Sequence, residues 1–189
     1  MSVILKIIIG STRAGRKGPA VAAWIHKLAL ERTEFETELI DLAEVNLPFL
    51  DEPNHPRFHN YTQQHTKDWS AKIDEADAFL MVTPEYNFSY PAPLKNAIDY
   101  LYREWLYKPA AIVSYGGIAA GTRSAQALKL VLSALKMVPL TESVNIPFFA
   151  KYIDGNGKFN ADDSLTKSAG VMFDELTKWA ENLKLLRNK

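Results

Sequence analysis

The chain has 189 residues, of which 47% are hydrophobic, so it is long enough for one well-packed domain. Basic and acidic residues number 22 each, and this balance argues against partners such as nucleic acid or an anionic membrane. The absence of cysteine excludes disulfides, thiolate metal ligands and a catalytic thiol. No segment has the features of a membrane span or a secretory signal, so we expect one cytoplasmic domain over residues 1–189.

Apolar strands and amphipathic helices alternate along the chain. The first strand is predicted at 3–9, and Pro19 marks the first turn of a helix that covers 20–32. The later elements are a strand at 38–42, a helix at 66–76, a strand at 78–83, a helix at 93–107, a strand at 110–115, a helix at 122–136, a strand at 140–149 and a final helix capped by Asp162 or Asp163. This alternation predicts an α/β fold with a doubly wound, five-stranded parallel sheet.

Residues 43–65, which we call the excursion, interrupt this pattern. They contain three prolines and little periodicity, and an ordered loop of this length is often functional. His55, His59 and His65 lie at spacings that match no helical metal motif, and no acidic partner is apparent. We therefore interpret them as solvated loop histidines and predict no metal site.

Loop 1, residues 10–18, joins the first strand to the first helix and has the composition of a phosphate cradle. A helix N-terminus favours an anion, while hydroxyl, basic and glycine residues add donors, charge and room. The P-loop pattern fails because Arg16 and Lys17 stand where it requires lysine and a Mg²⁺-binding hydroxyl, so nucleotide hydrolysis is not expected. The alternative is an ordinary strand–helix turn with solvated charges. The predicted phosphate-binding residues are Gly10, Ser11, Thr12, Arg13, Arg16, Lys17 and Gly18.

Two further loops follow the third and fourth predicted strands and suit a flat polar ring. Loop 2, residues 84–87, offers backbone amides, a carboxamide and a tyrosine; loop 3, residues 114–117, has paired glycines that let backbone lie against a ligand. Each has a plain alternative, a proline turn for loop 2 and a glycine turn after a strand for loop 3. The candidate residues are Pro84, Glu85, Tyr86 and Asn87 in loop 2, and Ser114, Tyr115, Gly116 and Gly117 in loop 3.

The three loops can meet at one ligand although they are far apart in sequence. In an open parallel sheet, ligands bind beyond the carboxyl ends of the strands, where the strand order reverses. A phosphate cradle beside a site for a flat ring predicts a mononucleotide, and a flavin first. Glu85 and Tyr86 could act as acid and base, but no histidine lies near them in sequence. No nucleophile elbow is present either, so we predict no catalytic side chain and expect a cofactor to carry the chemistry.

The chain resembles the NAD(P)H-dependent FMN reductases of flavodoxin-like fold, a family that includes quinone, azo and chromate reductases. The resemblance rests on Gly-Ser-Thr-Arg at 10–13, Thr-Pro-Glu-Tyr-Asn at 83–87 with Pro-Ala-Pro-Leu-Lys-Asn-Ala-Ile-Asp at 91–99, and Ser-Tyr-Gly-Gly at 114–117. It extends from about residue 3 to about residue 150. The family commonly has Ser or Asn near 16–18, where this chain has Arg-Lys-Gly, so phosphate contacts carry over first to Ser11 and Arg13.

This resemblance implies the strand order 2-1-3-4-5, bound FMN and NAD(P)H as a transient cosubstrate. Hydride would pass from the nicotinamide to flavin N5 and then, in a ping-pong cycle, to a small-molecule electron acceptor. The alternatives are a flavodoxin-type electron carrier and a flavin-based redox sensor. Carriers of this fold are often acidic, whereas this chain is neutral, which favours the enzyme.

A homodimer, or a dimer of dimers, is expected on two grounds. The family resemblance implies it, and the predicted helix 93–107 carries a second stripe of mixed charge and apolar surface formed by Lys95, Asp99, Tyr102 and Leu106. Phe88 and Tyr90 would extend this surface beside the flavin. The alternative is that the excursion folds over it within one chain.

Overall fold

The computed structural model describes residues 2–187, and its centre is a five-stranded parallel sheet of order β2-β1-β3-β4-β5. The strands are β1 Val3–Ile9, β2 Phe35–Asp41, β3 Ala78–Pro84, β4 Pro109–Tyr115 and β5 Val138–Ile146. The predicted fold class and strand order are confirmed. The order reverses at β1 and β3, so the carboxyl ends of these two strands form the crevice in which such sheets bind ligands.

Within residues 2–187, six helices cover the two faces of the sheet. They are α1 Gly18–Leu30, α2 Leu42–Val45, α3 Gln64–Asp74, α4 Ala92–Asp99, α5 Thr122–Ala134 and α6 Asp163–Arg187, with 3₁₀ turns at Pro56–Phe58, Arg103–Trp105 and Phe149–Tyr152. Helices α1 and α6 share one apolar core with the sheet, and α2 to α5 share the other. Within the described residues, none of these helices is both long and apolar enough to cross a bilayer.

Strand β1 supplies both cores, because alternate side chains point to opposite faces. Leu5, Ile7 and Ile9 join the core with α1 and α6, while Ile8 joins the other. Lys6 is also buried, and its ammonium group forms ion pairs with Glu38 and, at 2.8 Å, with Glu75. A charge inside this strand is tolerated because two carboxylates compensate for its loss of water.

Helix α4 ends at Asp99, which corrects the helix predicted to continue to residue 107. The last carbonyl groups of α4 bind indole N–H groups: Trp69 donates to Ala97 at 2.9 Å, and Trp105 donates to Ile98 at 3.1 Å. These bonds stop the helix by satisfying carbonyls that a further turn would use. Tyr102 therefore lies outside α4, and the predicted stripe through Lys95, Asp99, Tyr102 and Leu106 is wrong.

The excursion is an ordered structure that packs against α3 and α4. The Asn96 side chain donates to the Pro48 carbonyl at 2.7 Å and accepts the Leu50 N–H at 3.0 Å. Glu52 accepts the N–H groups of Thr62 and Gln63, both at 2.9 Å or less, just before α3 begins. The excursion thus covers the face of α4 that carries Asn96, whereas Lys95 and Asp99 of the predicted dimer contact pair with each other.

Two histidines of this region have carboxylate partners, which corrects their interpretation as solvated. The His65 imidazole lies 2.9 Å from Asp51, and Nδ1 of His59 lies 3.2 Å from the buried carboxylate of Glu104. Tyr100 binds the same Asp51 carboxylate at 3.0 Å. These contacts fasten the excursion to the body of the protein.

Candidate functional site

The three candidate loops meet at the carboxyl edge of the sheet. Gly10 donates to the Val82 carbonyl at 2.9 Å, and Glu85 donates to the Tyr115 carbonyl at 3.2 Å. The hydroxyl groups of Ser11 and Tyr86 lie 2.8 Å apart and join loop 1 directly to loop 2. Loops separated by about 75 residues along the chain therefore form one continuous surface, as the sequence predicted.

Loop 1 presents a row of backbone donors. Between Ser11 and Lys17, only the N–H of Arg16 has an acceptor within the described chain, the carbonyl of Arg13 at 3.0 Å. Helix α1 starts directly afterwards, and Lys17 at its N-cap contributes no side-chain hydrogen bond. Free N–H groups at a helix N-terminus bind anions well because the helix dipole adds positive potential.

The basic side chains of loop 1 differ in how far they are committed to other partners. Arg13 is exposed, and its side chain forms only one hydrogen bond within the described residues, a long one of 3.4 Å from Nε to the Tyr86 hydroxyl. Arg16 forms an ion pair with Asp41, which also caps α2 by accepting the Ala43 N–H at 2.9 Å. The guanidinium of Arg13 is therefore available to an anion, whereas that of Arg16 is largely neutralised.

One donor of Arg16 remains unsatisfied in spite of this ion pair. Its Nε is buried and has no hydrogen-bond acceptor among the described residues. A buried donor without a partner costs about 1–3 kcal/mol, which an added anionic acceptor would recover. Arg16 thus stays a candidate at the phosphate end, through Nε alone.

Close packing explains two of the glycines in loop 1. A Cβ on Gly18 would lie 2.8 Å from the Tyr115 hydroxyl, and one on Gly10 would lie 2.9 Å from the Leu94 side chain. The tyrosine hydroxyl therefore lies against the N-terminus of α1. Burial raises the pKa of Tyr115, so its hydroxyl keeps its proton and remains a donor there.

Tyr86 lies elsewhere than the sequence suggested. It was expected to cover a face or an edge of a flat ring, but its hydroxyl reaches Ser11 and Arg13 in loop 1. Asn87 is exposed at the tip of a tight turn in which the backbones of Tyr86 and Ser89 exchange hydrogen bonds of 2.8 and 3.0 Å. The Tyr86 hydroxyl thus lies at loop 1, and the Asn87 carboxamide is the exposed polar group of loop 2.

The Glu85 carboxylate is fully engaged by a residue that the sequence analysis did not select. One of its oxygens lies 2.5 Å from the Arg123 guanidinium, and the other accepts the Arg123 backbone N–H at 3.2 Å. From the sequence, Arg123 is placed only in the first turn of the helix predicted at 122–136. The partner of Glu85 could not be identified because the two residues are 38 positions apart.

Loop 3 combines buried and open positions. The Ser114 hydroxyl is buried and lies 2.9 Å from the Ala120 carbonyl and 2.8 Å from the Asn145 side chain, so it is not available to a ligand. Tyr115 is buried against Phe149, with 5.2 Å between ring centroids. A Cβ on Gly117 would meet no atom within 4 Å. A Cβ on Gly116, in contrast, would lie 2.9 Å from the Gly121 nitrogen, and the Gly116 N–H binds the Ile146 carbonyl at 3.2 Å. The open position of loop 3 is therefore the backbone of Gly117.

A cleft of about 270 Å³ borders loop 1 on the side of the excursion. It is lined by residues of loop 1, of α2 and its C-terminal turn, and of α4: Thr12, Leu42, Ala43, Asn46, Leu47, Pro93, Asn96 and Ala97. Thr12 is thus the loop 1 candidate that lines this cleft, and none of the lining residues belongs to loop 2 or loop 3.

Comparison with known proteins identifies the family of this chain. Residues 4–151 match the family model described as NADPH-dependent FMN reductase. The chain is 45% identical over 145 residues to an NAD(P)H-dependent FMN reductase of Schizosaccharomyces pombe, covering 75% of this chain and 72% of that protein. It is 38% identical over 151 residues to an NAD(P)H:quinone oxidoreductase of Solanum tuberosum, covering 77% and 70% respectively.

A solved structure extends the likeness to almost the whole chain. FerB, an NAD(P)H:(acceptor) oxidoreductase from Paracoccus denitrificans, superposes with a TM-score of 0.75 at 25% identity and covers 95% of this chain and 98% of its own. The fold is therefore flavodoxin-like, with the five-stranded order that places loops 1, 2 and 3 at one edge. This chain belongs to the NADPH-dependent FMN reductase family and is an NAD(P)H-dependent oxidoreductase of the FMN and quinone reductase type.

Proposed function

We propose that FMN binds at the carboxyl edge of the sheet with its phosphate in loop 1. The observation that carries this proposal is the set of unpaired backbone N–H groups of loop 1 beside the uncommitted guanidinium of Arg13. The Ser11 hydroxyl, the Tyr115 hydroxyl and Nε of Arg16 are further donors within the same cradle. A dianionic phosphate suits a site that has many donors and no free carboxylate, since Asp41 is paired with Arg16.

The ring would then lie against loops 2 and 3. Pro84 ends β3, Asn87 offers a carboxamide at the tip of its turn, and Gly117 presents open backbone without a side chain. The Gly117 N–H has no acceptor within the described residues and is free to bind a ring oxygen. Backbone donors at this edge would stabilise negative charge on a reduced ring.

When bound, FMN supplies the hydride and electron chemistry, accepting hydride from a nicotinamide and passing electrons to an acceptor. The side chains of this site position and solvate rather than transfer protons. The Glu85 carboxylate is held by Arg123, and burial keeps the Tyr115 hydroxyl protonated. The open backbone at Gly117 leaves room for a nicotinamide and then an acceptor to use the same place in turn.

Anaerobic mixing of the FMN-loaded protein with NADPH or NADH tests this function. We expect bleaching of the flavin absorbance within seconds, followed by reoxidation when a quinone is added. An oxidised spectrum that persists through the mixing would indicate an electron carrier or a redox sensor and would refute the enzyme. Riboflavin tested in parallel shows whether the phosphate is needed for binding.

We also propose that two copies of the chain associate near the N-terminus of α4. Large apolar side chains are exposed on both sides of it: Phe49 of the excursion is 84% exposed and lines a surface groove with Pro93, while Phe88 precedes α4 and is 65% exposed. A patch of this kind is typical of a protein–protein interface. Light scattering should give twice the chain mass, and Phe49→Asp should lower it, whereas Phe58→Asp, also at an exposed site, is the matched control.

A further inference from the structure

The Glu85–Arg123 pair joins loop 2 to the start of α5. The Glu85 side chain is only 9% exposed, and both of its oxygens bind Arg123, one at the guanidinium and one at the backbone N–H. The backbone N–H of Glu85 meanwhile binds the Tyr115 carbonyl at 3.2 Å. Glu85 is thus attached to loop 3 and to α5 from two directions.

Helix α5 depends on this contact at its N-terminus. Its N-cap is Gly121, which has a φ of +77° and no side chain to accept the first helical N–H groups. A Cβ there would lie 2.7 Å from the Tyr115 backbone nitrogen, so glycine is required. The carboxylate of Glu85 takes over the capping role from a different loop, and its charge suits the positive end of the helix.

Arg123 also supports the strained tip of the turn that follows Glu85. Asn87 and Phe88 have φ values of +49° and +69°, and a bulky aromatic residue is unfavourable in this left-handed region. The Arg123 guanidinium carbon lies 4.0 Å from the centroid of the Phe88 ring. A cation over an aromatic face is favourable, so this contact offsets part of the strain.

We propose that Glu85 and Arg123 are positioning residues that set the spacing between the two loops flanking the ring and balance their charges beside it. This inference rests on the proposed function. Because the pair is neutral as a unit, removing one partner leaves a net charge at the ring end of the site. Removing Glu85 leaves a cation, which favours the more negative reduced flavin, and removing Arg123 leaves an anion, which favours the oxidised flavin.

The test measures dissociation constants for oxidised and reduced FMN with Glu85→Gln, Arg123→Gln and the double variant. The ratio of the oxidised to the reduced constant should rise about fivefold in Glu85→Gln and fall about fivefold in Arg123→Gln. A fivefold change corresponds to about 20 mV for a two-electron couple. The double variant should return to within about twofold of wild type, since it carries no unbalanced charge.

A role in packing alone would weaken both constants together and leave their ratio unchanged. Equal ratios in all variants, or shifts of the same sign, would therefore overturn the charge balance. Arg32→Gln, which removes a cation where β2 begins, is the matched control and should not move the ratio. If wild type fails to bind FMN at all, the proposed function falls, which is a separate result.

Arg123→Lys separates positioning from charge. Lysine keeps the positive charge but loses the planar contact with Glu85 and with the Phe88 ring. The FMN ratio should stay near that of wild type, while backbone amides of residues 86–89 exchange hydrogen at least fivefold faster. Unchanged exchange at these amides would show that Arg123 does not hold the loop. If a glutamine variant fails to fold, this hydrogen-exchange measurement on Arg123→Lys still tests the proposal.

Discussion

Arg13 gives the sharpest test of the phosphate assignment, because its guanidinium is free. Within residues 2–187 the exposed side chain has no carboxylate partner, and its only hydrogen bond is the one of 3.4 Å from Nε to the Tyr86 hydroxyl. Replacing it should therefore cost the folded protein less than about 0.5 kcal/mol, as is usual at the surface. The loss of one hydrogen bond to a charged phosphate, in contrast, should weaken FMN binding by about 1.5–3 kcal/mol.

These free energies correspond to an increase of about 10- to 150-fold in the dissociation constant. The apoprotein of Arg13→Ala would be titrated with FMN and with riboflavin, following the flavin fluorescence. Riboflavin should bind the variant and wild type equally, because it has no phosphate. Lys27→Ala is the matched control, since Lys27 is 78% exposed on α1 and its removal changes the net charge equally.

Two results would contradict this reasoning. If Arg13→Ala loses riboflavin as severely as FMN, Arg13 supports the loop rather than the phosphate. If Lys27→Ala weakens FMN binding as much as Arg13→Ala does, the effect comes from net charge and not from a contact. A higher ionic strength should weaken FMN binding less in the variant than in wild type, because a charge interaction has been removed.

Three further predictions concern packing and ionisation. Gly18→Ala should weaken FMN binding about tenfold by pressing on the Tyr115 hydroxyl, and Tyr115→Phe in the same chain should restore part of the affinity measured by titration. Burial lowers the pKa of Lys108 to about 8, compared with 10.5 in the unfolded chain. Between these two pH values the unfolded state binds more protons than the folded state, so the free energy of unfolding rises with pH. In urea unfolding, the free energy of unfolding of wild type relative to that of Lys108→Met should therefore increase by about 2 kcal/mol from pH 8 to 10.5. Despite its partial burial, hydrogen bonds from backbone N–H groups and hydroxyls lower the pKa of Glu52 to about 2. The free energy of unfolding of wild type should therefore exceed that of Glu52→Gln by its full margin above pH 4.5, and this margin should vanish toward pH 2.

The sequence was informative where the signal is local. Strand β1 was predicted with its observed bounds, because a short, largely β-branched apolar run before a glycine-rich loop is typical of a strand buried on both faces. The second strand was predicted to start at 38 but starts at Phe35, since a strand at the sheet edge alternates buried and exposed residues and gives a weaker pattern. The positions of the three loops followed directly from the ends of the strands.

Contacts between distant segments could not be predicted. The helix predicted at 93–107 was too long because the spacing of Leu101 and Trp105 suits a helix, while the indole of Trp69 that ends α4 lies far away in the chain. The partner of Arg16 is Asp41, which lies 25 positions away at the end of β2. The residues of each pair come together only in the folded chain, so a local sequence pattern could not predict these contacts.

The two ends of the candidate site depend on different kinds of contact. At the proposed phosphate end, backbone N–H groups would do most of the binding, and any strand–loop–helix segment with suitable glycines supplies them. At the ring end, the shape of the site depends on Glu85 and Arg123, whose side chains meet only after β3 and β4 have paired. Changes in loop 1 should therefore affect affinity for the phosphate, whereas changes at Glu85 or Arg123 should affect how the ring is held and how readily it is reduced.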